Sequence, residues 1–314
     1  MRAIVLGSLI PLTARTIWRW LAAGHEIEEI WLGENGSGVW RRRDRRLGWL
    51  APQWSVTAAA RRFGIPLRTV GPLRKNPQLV RAGCRPHVDA VISSCFPYIV
   101  APEMLAHYGE RAVNLHPALL PRYRGPCPMT SIVFDEDFSA SGVTLHVMGD
   151  KLDEGAIIAQ RAMPWPADGW FRTWEADLAE AAGALAAEEL PRFLAGQIAA
   201  TPQMGPGSYL RSLPAGALQV DERIDERRAR WLAGSLGRIL PLTVQVEGRR
   251  IQIAGEGIER CDGGRPSAPA FARWRRVEVD VADARLSLRR WDHWHKRKER
   301  LRELAALARR RLAA

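Results

Sequence analysis

Asn114 and His116 stand two residues apart in Val113-Asn114-Leu115-His116-Pro117. In an extended segment that spacing puts an amide and an imidazole on one face. An amide donates a hydrogen bond to an oxyanion, and an imidazole donates one when protonated or takes up a proton when neutral. Side by side, the two suit acyl transfer. A carboxylate to tune the imidazole is supplied downstream by the acidic stretch Gly149-Asp150-Lys151-Leu152-Asp153-Glu154-Gly155. Taken alone, an Asn and a His at a strand end more often serve a hydrogen-bonded turn than catalysis.

The elements around these residues predict where they sit. Ala3 to Leu6 is a short apolar run, Gly7-Ser8 turns the chain, and Ala14 to Ala23 has helical spacing closed by Gly24-His25. Further strands are predicted at Ile27 to Leu32, Leu67 to Val70, Ala90 to Ser93, Ala112 to Leu115 and Val143 to Met148. Helices are predicted near Val56 to Phe63 and at Trp174 to Leu194, and Gly33 to Leu47 reads as a loop rich in Gly and Arg. Strands alternating with helices indicate an α/β fold, a Rossmann-like and mostly parallel sheet covered on both faces. Ligands bind at the carboxyl ends of such strands, where Asn114 and His116 lie. If the strand Val143 to Met148 is a neighbour, the acidic loop after it comes to the same edge.

Pro202 to Pro214 is punctuated by Gly and Pro and reads as a linker, so residues 1–210 form one domain and residues 215–314 a smaller β-rich one. Within the second, Thr243 to Val246 and Arg250 to Ile253 alternate around Gly248 as a hairpin, and Val277 to Val281 and Ala284 to Leu288 read as strands. The tail from Trp291 is a basic helix whose leucines at 301, 304, 307 and 312 form a docking side, the second domain being a ready partner. His293 and His295 beside Trp291 and Trp294 could alternatively form an aromatic-basic patch.

A chain of 314 residues with 46% hydrophobic and 25% charged residues is an ordinary globular composition for two domains. No apolar run reaches the roughly 20 residues of a membrane span, and the first residues are too short an apolar stretch for a signal peptide, which predicts a cytoplasmic protein without a membrane partner. The four cysteines form no CxxC pair, so neither a metal site nor a disulfide framework is expected. The net charge of +12 attracts polyanions, yet nearly all of the excess is Arg, Lys occurring only at positions 75, 151, 296 and 298.

The run Asn114-Leu115-His116-Pro117-Ala118-Leu119-Leu120-Pro121-Arg122-Tyr123-Arg124-Gly125, followed by Gly142-Val143-Thr144 and then Leu152-Asp153-Glu154-Gly155, resembles the folate-dependent formyltransferase family. This family includes methionyl-tRNA, glycinamide ribonucleotide, and sugar and amino-acid N-formyltransferases. The resemblance extends more weakly over residues 1–210, and the second domain is similar to the β-barrel domain of the tRNA and sugar branches. It implies transfer of a formyl group from 10-formyltetrahydrofolate, with no metal, and Asn114, His116 and Asp153 as the catalytic residues. Asp150 is a secondary candidate. The resemblance places the pterin donor between the acidic loop, at Gly149 and Asp150, and main-chain groups of Cys95, Phe96, Pro97, Tyr98 and Ile99. Ser8, Pro121, Tyr123 and Arg124 are the implied substrate-binding positions. The implied mechanism is attack of an uncharged amine on the formyl carbon. Asn114 and protonated His116 would stabilise the oxyanion, and Asp153 would raise the imidazole pKa. Inside this motif the catalytic reading of Asn114, His116 and Asp153 outweighs the turn reading. His25, His87, His107 and His146 read as structural.

Trp40-Arg41-Arg42-Arg43-Asp44-Arg45-Arg46 is either a solvated loop or, with Trp40 and Trp49 flanking, a contact for RNA phosphates. A basic insertion occurs at a comparable place in the tRNA branch. Pro126 and Cys127 after Arg124-Gly125 depart from the small-residue pair of the Ala-Ala-Pro that usually follows Arg-Gly there. The balance favours a small-molecule amine, of amino-sugar or amino-acid type. Methionyl-tRNA bound through Arg41 to Arg46 is the alternative. An RNA-binding protein on a disused enzyme scaffold would not need all of Asn114, His116 and Asp153. A formyl-folate hydrolase is expected to carry an extra amino-terminal domain, whereas this chain opens on its first strand.

Overall fold

A computed structural model of the chain describes residues 1–33, 38–209, 212–261, 270–272, 275–291 and 293–312. Strand β1 (Arg2–Gly7) is apolar on both faces, with Ala3, Ile4, Val5 and Leu6 all at 0% exposure. Such a run belongs in the middle of a sheet covered on both sides. It lies between β2 (Glu26–Gly33) and β4 (Ala90–Ser94), with β3 (Leu67–Val70) outside β2 and β5 (Ala112–His116) beyond β4, all parallel. Strands β6 (Gly142–Val147) and β7 (Ile157–Ala162) extend the sheet antiparallel, each to the strand before it, giving the order β3-β2-β1-β4-β5-β6-β7.

Helices α1 (Pro11–Ala22), α2 (Gly38–Leu50) and α3 (Val56–Phe63) contribute to the core on one face, where Ile17, Leu47 and Val56 pack with Ala3, Val5 and Val113. Helices α4 (Pro77–Gly83) and α5 (Pro102–Tyr108) close the other, packing Val80 and Met104 on Ile4, Leu6 and Val91. Helix α6 (Pro128–Asp135) follows the loop after β5. α7 (Phe171–Ala184) continues through a π turn at Leu185–Glu189 into α8 (Leu190–Leu194). A Cβ on Gly183 would stand 2.7 Å from the Arg15 carbonyl oxygen, so a glycine lets α7 approach α1 closely.

The expected strands of this sheet are present, and β7 and three short helices are additional. α4, α5 and α6 are seven or eight residues long, too short to display a helical period, although each starts with a proline at its first turn, which was the available signal. The loop predicted at Gly33 to Leu47 is mostly α2, residues 34–37 lying outside the described ones. α2 buries only Arg43, Asp44 and Leu47, so no apolar stripe announces it, and arginine is a good helix former.

Beyond α9 (Glu226–Gly234), β8 (Leu242–Val246) and β9 (Arg249–Ile253) form the predicted hairpin, turning at Glu247 and Gly248 with φ of 48° and 75°. β10 (Glu259–Arg260), β11 (Ala270–Ala272), β12 (Arg276–Asp280) and β13 (Arg285–Arg289) make an antiparallel sheet in the order β10-β13-β12-β11. The last helix, α10 (His293–Leu312), meets the second part of the chain through Lys298 and Arg302, which pair with Glu256 at 3.0 and 3.8 Å, and it also reaches the first sheet's helices. Leu307, 3% exposed, and Glu303 pack back against the first sheet's helices α2 and α7, while Leu301 is 60% exposed. The side chains of His293, Trp294, His295 and Leu312 lie outside the described residues. Among the described residues, no helix is long and apolar enough to cross a membrane.

Candidate active site

Strand β5 carries Asn114 and His116 on one face, and the antiparallel β5–β6 ladder sets His146 opposite Asn114 and Thr144 opposite His116. Directly opposed residues share a face, so the two imidazoles and the amide gather on one side of the sheet. The His116 and His146 ring centroids are 6.4 Å apart. Nothing in the alternating pattern around His146 separated it from a structural histidine.

The route of the acidic loop differs from expectation. Because β6 runs antiparallel to β5, its end at Val147 lies beside Val113, away from the carboxyl end of β5. The loop therefore leaves from the opposite edge and folds back over the sheet face to deliver Asp153. The turn back needs a left-handed residue, and Asp153 itself adopts φ 56°. A close approach follows at Gly155, where a Cβ would stand 1.8 Å from the Val147 carbonyl oxygen.

Asp153, 7% exposed, becomes the hub of the cluster. Its Oδ2 accepts from the Gly125 main-chain N–H at 2.9 Å and lies 3.6 Å from His116 Nδ1. Its Oδ1 accepts from Asn114 Nδ2 at 3.3 Å and lies 3.6 Å from His146 Nε2. Burial alone would raise its pKa, but the nearby His146 and His116 rings and the Gly125 N–H together hold the carboxyl below its usual range. Gln203, from the segment read as a linker, donates through Nε2 to the carbonyls of Asp153 and Gly155, both at 2.8 Å. Thr201 and Ile157 exchange main-chain bonds of 2.8 and 2.7 Å beside it. The segment is thus stitched to the acidic loop, which no local sequence feature indicated.

His116 is 3% exposed, and its Nε2 donates to the Tyr123 carbonyl at 2.8 Å. A carbonyl only accepts, so the proton sits on Nε2 and the free nitrogen of the neutral ring is Nδ1. The expectation of a raised His116 pKa is corrected here. Burial pushes it down, the Asp153 charge opposes this without overcoming it, and His146 adds to the lowering. The resting imidazole is neutral. Asn114 is half-buried, the most accessible member of the four.

Three of the four implied substrate-binding residues have their polar side-chain atoms engaged by the protein. Ser8, 2% exposed, donates to the Cys95 carbonyl at 2.6 Å. The Tyr123 hydroxyl donates to Asp135 at 3.0 Å, and Arg124 donates to Gln203 Oε1 at 2.7 Å with Glu154 3.5 Å away. Ser208 holds this loop through the main chains of Tyr123, Arg124 and Pro121. These contacts fix the loop after β5, which in turn fixes His116 and Asp153. Pro121, after a cis peptide bond from Leu120, is half-buried.

The loop after β4 presents a different surface. Cys95 adopts φ 52°, and burial together with the charges of Glu175 and Asp153 pushes its thiol up to about 12. Phe96 and Tyr98 stack edge to face at 5.6 Å, Pro97 is exposed and Ile99 is 57% exposed. Phe96 and Tyr98 are half-buried, so this aromatic and apolar wall at the carboxyl edge of the parallel strands is exposed mainly at Pro97 and Ile99. Gly149 and Asp150 are exposed in the acidic loop. Among the described residues, no group of three or more His, Cys, Asp or Glu side chains is arranged to hold a metal.

Comparison with known proteins identifies the family. Residues 54–187 match the profile of the family described as Formyl transferase. Methionyl-tRNA formyltransferase of Herpetosiphon aurantiacus is 34% identical over 184 residues, 57% of this chain and 56% of that protein. The enzyme of the same name from Heliobacterium modesticaldum is 31% identical over 224 residues, 70% of this chain and 67% of that protein. The chain spans about half the length of most of the curated relatives it matches. Among solved structures, an N-formyltransferase of Helicobacter canadensis in complex with folinic acid and dTDP-3-aminofucose has a TM-score of 0.59 at 14% identity. It covers 92% of this chain and 99% of its own. A variant of HypX from Aquifex aeolicus has a TM-score of 0.59 at 16% identity, covering 92% of this chain and 45% of that one. At such identities the two structures share the fold. Joined to the sequence matches over the segment that carries Asn114, His116 and Asp153, they lead to one conclusion: the chain belongs to the folate-dependent formyltransferase family.

Proposed function

We propose that the protein transfers a formyl group from 10-formyltetrahydrofolate to the amine of a small-molecule acceptor of amino-sugar or amino-acid type. The observation that carries the reading is the convergence of Asn114 and His116 on Asp153, at 3.3 and 3.6 Å, beside the wall of half-buried Phe96 and Tyr98 and exposed Pro97 and Ile99. That wall and the acidic loop at Gly149 and Asp150 are the surfaces that would hold the folate.

The uncharged amine of the acceptor attacks the formyl carbon. One carbon–nitrogen bond forms, the bond to the donor nitrogen breaks, and a single proton passes from the attacking to the leaving nitrogen. Asn114 donates an N–H to the oxygen that gathers negative charge. His116, neutral at rest, takes the amine's proton at Nδ1, its one nitrogen not bound to a carbonyl, and returns it to the leaving nitrogen. Asp153, 3.6 Å from Nδ1, stabilises the imidazolium while it lasts.

A small acceptor is supported by the fate of the arginine run. Arg43 and Asp44 are 5% and 2% exposed, bound inside the protein and withdrawn from any phosphate. The second reading, a tRNA acceptor, is favoured by exposed Arg41, Arg42 and Arg45 and by Trp49, 87% exposed, on the same helix. The test is tetrahydrofolate release with two acceptor pools, charged initiator tRNA and a panel of amino sugars and amino acids. Release with a small amine supports the proposal. Release with tRNA alone transfers the assignment to the second reading.

A further inference from the structure

We propose that His146 is a positioning residue whose ring accepts from Asn114 and so holds the amide with its nitrogen toward the reacting oxygen. The rate effect rests on the formyl-transfer reading, whereas the orientation of the amide is a property of this chain alone.

The argument starts from donor and acceptor chemistry. His146 is 1% exposed, and its Nδ1 lies 2.9 Å from the Val147 carbonyl oxygen. Since the carbonyl can only accept, Nδ1 carries the proton and Nε2 of the neutral ring has a lone pair. Asn114 Nδ2 lies 3.1 Å from that Nε2 and 3.3 Å from Asp153 Oδ1. Both partners are acceptors, so the amide must turn its nitrogen toward them. An inverted Asn114 would set its oxygen against a lone pair and a carboxylate.

The two acceptors are 3.6 Å apart, so with Nδ2 they form a nearly equilateral triangle. One N–H directed between them can serve both, and on this proposal the second turns to the reacting oxygen. Gly155 contributes by being side-chain-free, since a Cβ there would come within 3.6 Å of His146 Nδ1 and closer still to the Val147 carbonyl.

The test compares wild-type protein with His146→Gln and His146→Phe. Tetrahydrofolate release is followed at saturating donor and acceptor, and the Asn114 side-chain amide is followed by 15N-edited NMR. Glutamine can accept from Asn114 without titrating, and phenylalanine fills the space without accepting. His146→Phe is expected to lose about tenfold or more in kcat, short of the roughly 100- to 1,000-fold cost of deleting an oxyanion donor. His146→Gln recovers most of that loss. The Asn114 amide resonances should move further from their wild-type positions in His146→Phe than in His146→Gln. Wild-type kcat in both variants, or Asn114 resonances indifferent to His146, would overturn the proposal. If wild-type protein releases no tetrahydrofolate with any acceptor, the formyl-transfer reading fails and the NMR arm still decides the orientation.

Discussion

The Arg43 guanidinium on α2 donates through Nε to Glu303 on α10 across 2.6 Å, although the two residues are 260 positions apart. The same guanidinium pairs with Glu175 on α7 at 2.5 Å, and the three side chains are 6%, 10% and 3% exposed. A buried charge shared by two carboxylates thus fastens α10 to α2 and α7 of the first sheet.

Removing the centre of that triad takes the Arg43 charge from buried Glu303 and leaves Glu175 with Arg172 at 2.8 Å. Arg43→Ala should therefore lower unfolding stability by about 3–5 kcal/mol in a denaturant titration. Arg41→Gln, Arg42→Gln and Arg45→Gln, on the exposed side of the same helix, should each stay within about 0.5 kcal/mol of wild type. Equal effects across the helix would contradict the burial seen for Arg43.

Acid should weaken the fold in two stages. Burial pushes His116 below its ordinary 6.5, so below that pH the unfolded chain takes up a proton that the folded one refuses, and stability falls. Glu175 is disfavoured by burial but held down to about 2, against an ordinary 4.5, by Arg43 and Arg172. Its contribution is complete above pH 4.5 and is lost as pH drops from there toward 2. Melting temperatures at decreasing pH should show both declines, and Glu175→Gln should flatten the lower one.

Asn114→Ala removes the N–H offered to the reacting oxygen. A fall of about 100- to 1,000-fold in kcat, equivalent to about 2.7–4 kcal/mol, is expected with little change in melting temperature. Turnover near the wild-type rate would remove Asn114 from the mechanism.

Gln203→Ala deletes two N–H bonds to the carbonyls of Asp153 and Gly155. Each contributes about 0.5–1.5 kcal/mol to holding the acidic loop. Both kcat and melting temperature should fall. A change in neither would mean that the loop holds its shape without this residue.

Gly155→Ala places a methyl group where the Val147 carbonyl oxygen already stands. Main chain is on both sides of the clash, so relief requires the Asp153 loop to move. The expected cost is about 1–3 kcal/mol or more of stability, with activity falling further than stability alone explains. Calorimetry beside the transfer assay separates the two.

The sequence by itself determined what depends on neighbours along the chain. Period-two spacing placed Asn114 and His116 on one face at the end of β5, apolar runs located the central strands, and Gly248 between alternating segments marked the β8–β9 turn. The fixed spacings of Asn114, His116 and the Leu152-Asp153-Glu154-Gly155 stretch carried the family. What only the tertiary structure decided depends on which elements meet, and in which direction. The antiparallel course of β6 set His146 against Asn114 and sent the Asp153 loop over the sheet face from the far edge. Gln203 reached that loop from a stretch with the composition of a linker, and Arg43 left the solvated run to bind Glu303. Burial, finally, reversed the expected pKa shift of His116, because the loss of water around an imidazole is a property of the packed interior and is carried by no single residue of the sequence.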